Sequence, residues 1–157
     1  MEDLARNVVN KLIETNRKIS IAETITGGGI SKELIKIPGS SRVIDVSFVT
    51  YSNQSKVDFL NVSEKTLAEY GAVSKESVEE MANGLAETSQ ADFCLAVSGI
   101  AGPGGATATK PVGMVCVALK TPDKMFSDTW MLEATSREAI IEDSIRRCLE
   151  LLTNSID

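Results

Sequence analysis

A carboxylate, two hydroxyls and three glycines stand together in Ile21-Ala22-Glu23-Thr24-Ile25-Thr26-Gly27-Gly28-Gly29. The β-branched Ile19 and Ile21 lead into this stretch, and Ile30, Leu34 and Ile35 leave it at helical spacing. The pattern places the cluster where a buried strand gives way to a helix. The first turn of a helix leaves backbone N–H groups unpaired and carries partial positive charge. Glycines let a ligand approach those groups. A hydroxyl at such a junction can attack a carbonyl while neighbouring amides hold the resulting oxyanion. A glycine-rich turn with Thr24 or Thr26 as helix N-cap would use the same residues.

Two more polar clusters follow strand-like runs. Tyr51-Ser52-Asn53-Gln54-Ser55-Lys56 ends the run Val43–Tyr51, and Ser98-Gly99-Ile100-Ala101-Gly102-Pro103-Gly104-Gly105 ends the run Asp92–Val97. If the three strands are parallel, all three clusters meet in one crevice beyond their carboxyl ends. The chain has no histidine. A hydroxyl nucleophile therefore needs a lysine or carboxylate as its base, with Lys56 the best placed lysine and Glu23 the alternative. A lysine partly removed from water has its pKa lowered and can take that role. Lys56 also fits a solvated helix lysine, and Tyr51 a half-buried sheet aromatic. The 98–105 loop has five glycine or proline positions in eight residues. Its amides can cradle a phosphate, although the GxxxxGK[ST] pattern is absent. Arg137 opens the last helix, where a cation opposes the dipole and needs an anionic partner or a solvated pose.

The elements that must position these residues alternate along the chain. Residues 3–16 carry Leu4, Val8, Val9, Leu12 and Ile13 and read as an amphipathic helix. Lys18–Glu23 reads as a strand, and Thr26–Ile37 as a helix ended by Pro38-Gly39. Val43–Tyr51 is a strand, Asn53–Leu60 a short helix, and Ser63–Glu69 another with Ser63 as N-cap. Ser74 caps a helix over 75–88. Asp92–Val97, Val112–Lys120 and Lys124–Leu132 are strands, the last two forming a hairpin, and Ser136–Ser155 closes the chain as a helix. No composition break or repeat interrupts this order. The expected fold is one three-layer α/β/α domain over 1–157, with a mixed, mostly parallel sheet.

Composition narrows the function classes. Net charge is −6, pI is about 4.8, and no Lys/Arg-rich block occurs, which argues against nucleic acid as partner. Hydrophobic content is 43% and aromatic content 4%, so the core must be aliphatic. Cys94, Cys116 and Cys148 are far apart and lie on apolar faces, as buried thiols in a reducing compartment. The start MEDLARNVV has no basic n-region, and no apolar run approaches a membrane span, so a cytoplasmic protein is expected.

In order along the chain, these segments resemble the CinA C-terminal-domain family, whose stand-alone members include nicotinamide mononucleotide deamidases. The family pattern AES-x-TGG, PGSS, YSN-x-x-K, GAVS, TGIAGPGG, KPVG and GDR has its counterparts here. They are Ala22–Gly28, Pro38-Gly39-Ser40-Ser41, Tyr51–Lys56, Gly71-Ala72-Val73-Ser74, Ser98–Gly105, Lys110-Pro111-Val112-Gly113 and Thr135-Ser136-Arg137. The resemblance implies hydrolysis of the nicotinamide amide to nicotinate mononucleotide and ammonia by a serine–lysine pair. Thr24 stands at the serine and Lys56 at the lysine. The family's TGG amides fall at Thr26, Gly27 and Gly28. Tyr51 and Asn53 match substrate-side residues and Arg137 a phosphate contact. Glu23, Ser98, Gly99, Gly102, Gly104 and Gly105 complete the substrate-binding set so implied.

The expected partner is a small nucleotide substrate, with no cofactor, metal, nucleic acid or membrane, in a homo-oligomer. Larger members add a molybdopterin-binding-like domain with metal-dependent pyrophosphatase activity, for which this chain has no room. Five positions depart from the pattern: Thr24 for serine, Ser98 for threonine, Gly29 for an apolar residue, and Thr135-Ser136 for Gly-Asp. The threonine methyl restricts χ1 and crowds attack, so a catalytically silent nucleotide-binding module is the alternative reading.

Overall fold

The computed structural model describes residues 1–157. The elements run α1 (Glu2–Glu14), β1 (Ile19–Glu23), α2 (Gly29–Ile35), β2 (Ile44–Val49), α3 (Asn53–Leu60), α4 (Glu64–Tyr70), α5 (Lys75–Thr88), β3 (Phe93–Gly99), β4 (Met114–Lys120), β5 (Met125–Met131) and α6 (Arg137–Ser155), with a 3₁₀ turn at Ser40–Arg42. The sheet has five strands in the order β2-β1-β3-β4-β5. β1 is parallel to both β2 and β3, and β4 is antiparallel to both β3 and β5. Only β4 therefore runs against the others, and the hairpin read from the sequence makes the sheet mixed. No helix is long and apolar enough to cross a membrane.

Period-2 alternation gives the sheet two unlike faces. Phe93, Leu95 and Val97 of β3 and Val115, Val117 and Leu119 of β4 join α1, α2 and α6 in one core. Cys94, Ala96, Cys116 and Ala118 face the other way, with Ala22, and pack under Val78, Met81, Ala82 and Leu85 of α5. Each large side chain fully buried on the first face contributes about 1.5–3 kcal/mol. The second face is built from small residues, so α5 lies close over β3 and β4 and also against α3. The three cysteines are buried and unpaired, as their apolar settings imply.

The structure shortens the second helix. The expected start at Thr26 moves to Gly29, because residues 25–28 form turns closed by Gly27 N to Thr24 O (3.1 Å) and Gly29 N to Thr26 O (2.8 Å). Gly29, the departure from the family pattern, has a packing cause. A Cβ there would lie 2.4 Å from Ile145 Cδ1, so the Ile145 side chain of α6 fills the space that a larger residue on α2 would need. The N-caps at Ser63 and Ser74 lie where the sequence placed them.

Gly84 is the tightest point between helices, since a Cβ added to it would fall 1.9 Å from the Leu60 carbonyl oxygen. Alanine favours a helix interior over glycine by about 1 kcal/mol. Gly84→Ala is nevertheless expected to destabilise by about 1–3 kcal/mol, because backbone must move to admit the methyl. Urea unfolding of the variant measures this.

Candidate active site

The sheet register brings three strand ends level. Glu23 pairs with Val49 on one side and Val97 on the other. The ladder runs one step further, with Thr24 N donating to Val97 O and Thr50 N donating to Glu23 O, both at 3.1 Å. Thr24, Thr50 and Ser98 thus emerge together at the carboxyl edge, and the crevice inferred from the sequence exists. A cavity of about 300 Å³ opens there. Its lining comprises Thr24, Ile25, Tyr51, Asn53, Lys56, Ala72, Val73, Ser98, Gly99, Ile100, Ala101, Gly102, Gly104, Gly105 and Arg137.

One carbonyl organises its floor. Thr50 O accepts from Thr24 Oγ1 at 3.0 Å and from Lys56 Nζ at 2.8 Å. Lys56 is held there because Ser52 caps α3, its hydroxyl accepting from Ser55 N at 3.0 Å, so the helix begins just where the strand ends. The side chain of Lys56 is fully buried. Burial disfavours its ammonium form and lowers its pKa from 10.5 to about 8. A solvated helix lysine is therefore not what position 56 carries. Tyr51, by contrast, is 63% exposed beyond the end of β2, and is not a buried sheet aromatic.

Ser98 on β3 is 1% exposed, and its hydroxyl has no partner within the protein. Among the buried hydroxyls without a partner, Ser98 is the one that lines the cavity. The amides of Ile25, Ala101, Gly102, Gly104 and Gly105 likewise donate to no acceptor in the protein. Arg137 reaches across the mouth from α6, Nη1 donating to Gly102 O at 2.7 Å and Nη2 to Tyr51 Oη at 3.2 Å. Neither partner carries charge, so the guanidinium keeps its full positive charge for a ligand. Ser136 caps α6, its hydroxyl accepting from Ala139 N at 3.1 Å. It thus performs the capping an aspartate would perform at that position.

The structure brings together Thr24, Lys56, Tyr51, Asn53, Ser98, Gly99, Gly102, Gly104, Gly105 and Arg137, and it leaves out four residues of the expected set. Glu23, Thr26, Gly27 and Gly28 do not line the cavity. Glu23 is fully buried and turned toward α2. Its carboxylate accepts from Ile30 N (3.0 Å), Ser31 N (2.9 Å), Ser31 Oγ (2.7 Å) and Thr26 Oγ1 (2.5 Å). It replaces the cap that Gly28, the N-cap of α2, cannot supply. With its carboxylate oxygens so engaged, Glu23 is directed at the start of α2 and not at the cavity. After Thr24, the amides of Ile25, Thr26 and Gly28 are free of acceptors in the protein, whereas Gly27 N is bonded to Thr24 O.

The sequence reading missed Thr50, Ile25, Ala72, Val73, Ile100 and Ala101. Ala101 and Ile100 were visible inside the glycine-rich loop. Thr50 acts through its backbone and carried no side-chain signal, while Ala72 and Val73 stood in the Gly71-Ala72-Val73-Ser74 segment of the family pattern without a role attached to them.

Fold and crevice together define a class: α/β domains with a ligand cavity at the carboxyl ends of three parallel strands, furnished with a hydroxyl and a buried amine. Within that class, the chain belongs to the CinA C-terminal domain family, whose model matches residues 1–156. A CinA-like protein from Shewanella sp. (strain ANA-3) is 44% identical over 98% of this chain and 37% of its own length. A Shewanella oneidensis protein named nicotinamide-nucleotide amidohydrolase PncC is 42% identical over 98% of this chain and 37% of its own length. The chain thus spans little more than a third of these curated relatives. Among solved structures, the competence/damage inducible protein CihA from Agrobacterium tumefaciens matches with a TM-score of 0.94 at 40% identity, covering 98% of this chain and 95% of that one. CinA-family membership and the PncC-named relative support a family role in nicotinamide mononucleotide deamidation.

Two outcomes follow from this geometry. Between pH 8 and 10.5 the folded chain holds fewer protons on Lys56 than the unfolded chain does, so this group makes the unfolding free energy rise with pH across that window. Below pH 8 both states carry the proton and the slope from this group vanishes. Lys56→Met is expected to remove the rise, read by urea unfolding at a series of pH values. Glu23→Gln leaves amide donors of α2 facing an NH₂ group, and is expected to cost about 1–3 kcal/mol in the same measurement.

Proposed function

We propose that this chain is an amidase that converts nicotinamide mononucleotide to nicotinate mononucleotide and ammonia. The observation that carries the proposal is the convergence of the Thr24 hydroxyl and the buried Lys56 amine on Thr50 O, beneath a cavity lined by two cationic residues and no carboxylate. The family and the PncC-named relative support the same reading.

In this mechanism neutral Lys56 removes the proton of Thr24 as Oγ1 bonds to the carboxamide carbon. The carbonyl oxygen becomes an oxyanion, held by the free N–H of Ile25. Lys56, now an ammonium, gives its proton to the departing nitrogen, the C–N bond breaks, and ammonia leaves. Water then attacks the resulting ester as Lys56 takes its proton; the C–Oγ1 bond breaks, Lys56 returns that proton to Thr24 Oγ1, and nicotinic acid leaves as nicotinate with its proton passing to solvent. A base near pKa 8 is matched to this work at neutral to mildly alkaline pH. Ser98 Oγ orients the amide. Arg137 and the amides of Gly102, Gly104 and Gly105 hold the phosphate, and Tyr51 and Asn53 stand on the substrate side of the mouth. The volume suits a mononucleotide. Thr24 must first release Thr50 O, and its methyl limits the rotation available.

That ground-state bond favours a second reading. Thr24 Oγ1 donates to Thr50 O and makes no bond to Lys56. A site held in this state binds the nucleotide without turning it over. A homo-oligomer is expected on either reading, and it is supported by exposed Val49 on the edge strand β2 and exposed Phe59 beside Phe48 of that strand.

Purified protein is expected to release ammonia from nicotinamide mononucleotide, with an alkaline-rising profile around pH 8. Lys56→Ala is expected to reduce turnover by about 10²–10⁴-fold. Saturable calorimetric binding without ammonia from the wild type, together with turnover by Thr24→Ser, would establish the silent module instead.

A further inference from the structure

From Ala101 to Val112 the chain forms no regular element, and Pro103 to Thr109 is exposed. This excursion between β3 and β4 nevertheless supplies Gly102, Gly104 and Gly105 to the cavity wall. Its two ends are tied by backbone bonds, Ile100 N to Met114 O (2.9 Å) and Gly113 N to Ile100 O (2.8 Å). Inside it one turn closes on itself, Thr107 N to Lys110 O (2.9 Å) and Lys110 N to Thr107 Oγ1 (3.1 Å). Arg137 holds Gly102 O from one flank.

Lys110 holds the opposite flank. Its Nζ donates to Val73 O at 2.7 Å and also to Tyr70 O. Tyr70 ends α4, and Val73 precedes Ser74, the N-cap of α5. The ammonium therefore lies at a helix C-terminus, where a cation is favoured, and pairs with no carboxylate. Ala72 and Val73 of this corner line the same cavity as the glycine loop. No other hydrogen bond joins the corner to the loop.

We propose that Lys110 is a positioning residue that fastens the α4–α5 corner to the glycine loop and thereby fixes the width of the nucleotide cavity. The kinetic form of the proposal rests on the amidase reading above. Lys110 touches neither Thr24 nor Lys56, which stand on β1's end and on α3. Without the clamp the two walls separate, and a ligand must order them before it binds. The chemistry on the floor is untouched once the ligand is seated.

Lys110→Met removes the ammonium and keeps the stem. The expected result is a KM for nicotinamide mononucleotide raised about tenfold, with kcat within about threefold of wild type. Lys110→Arg, which can reach the same carbonyls, is expected to recover part of the loss. Hydrogen exchange of the ligand-free proteins reads the clamp directly: amides at 71–73 and 102–105 are expected to exchange faster in Lys110→Met, with the sheet amides unchanged. Unaltered exchange at those amides overturns the proposal whatever the activity. A fall in kcat at constant KM overturns it too. Faster exchange in a protein whose wild type releases no ammonia upholds the clamp and rejects the amidase reading alone. Should Lys110→Met not fold, the same exchange comparison on Lys110→Arg decides, with an intermediate rate supporting the clamp and a wild-type rate at full KM loss rejecting it.

Discussion

A single backbone carbonyl, Thr50 O, sets the chemistry of this molecule. It takes one hydrogen bond from an alcohol and one from an amine that arrive from different elements. Its position is not a matter of loop conformation, because Thr50 N is bonded to Glu23 O as a continuation of the parallel ladder. The partner's neutrality matters as much as its place. A carboxylate in the same position would hold Lys56 as an ammonium by charge attraction. Glu23, the carboxylate next to Thr24 in the chain, is instead turned to the other side and bonded to the start of α2. The amine therefore feels burial without compensation, and its pKa falls to about 8.

The three cysteines show the same physics without the function. Burial raises the pKa of Cys94 to about 11 and moves Cys116 and Cys148 in the same direction. A thiol so placed stays protonated and inert. In each case low polarity favours the uncharged form; for lysine that form is the base, while for cysteine it is the unreactive acid. None of the three thiols lines the cavity.

Much of this was legible in the sequence, for identifiable reasons. Alternating and helical periods located every strand and helix, because each element buries one face of a layered core. Glycine-rich and hydroxyl-rich clusters after three strands gave the crevice, because the parallel register sets Glu23, Val49 and Val97 level. The reading failed where a residue acts through its backbone or where a side chain can turn either way. Thr50 carries no side-chain signal. Glu23 looks like a site carboxylate beside Thr24, yet side chains alternate along a strand, and Glu23 points opposite to the cavity. The start of α2 moved from Thr26 to Gly29 because the cap comes from Glu23, upstream and in another element, not from a local hydroxyl. At the Thr135-Ser136 departure from the family pattern, Ser136 still supplies the N-cap of α6.

The unequal faces of the sheet have a consequence for how the chain finds its pairing. A slip of one residue in β3 would exchange Leu95 with Ala96 and Val97 with Ser98, moving bulky side chains under α5. That helix has no room to retreat, since Gly84 already rests on the Leu60 backbone. Misaligned sheets are thus refused by their own cover, and the helix that completes the domain also proofreads the strand beneath it.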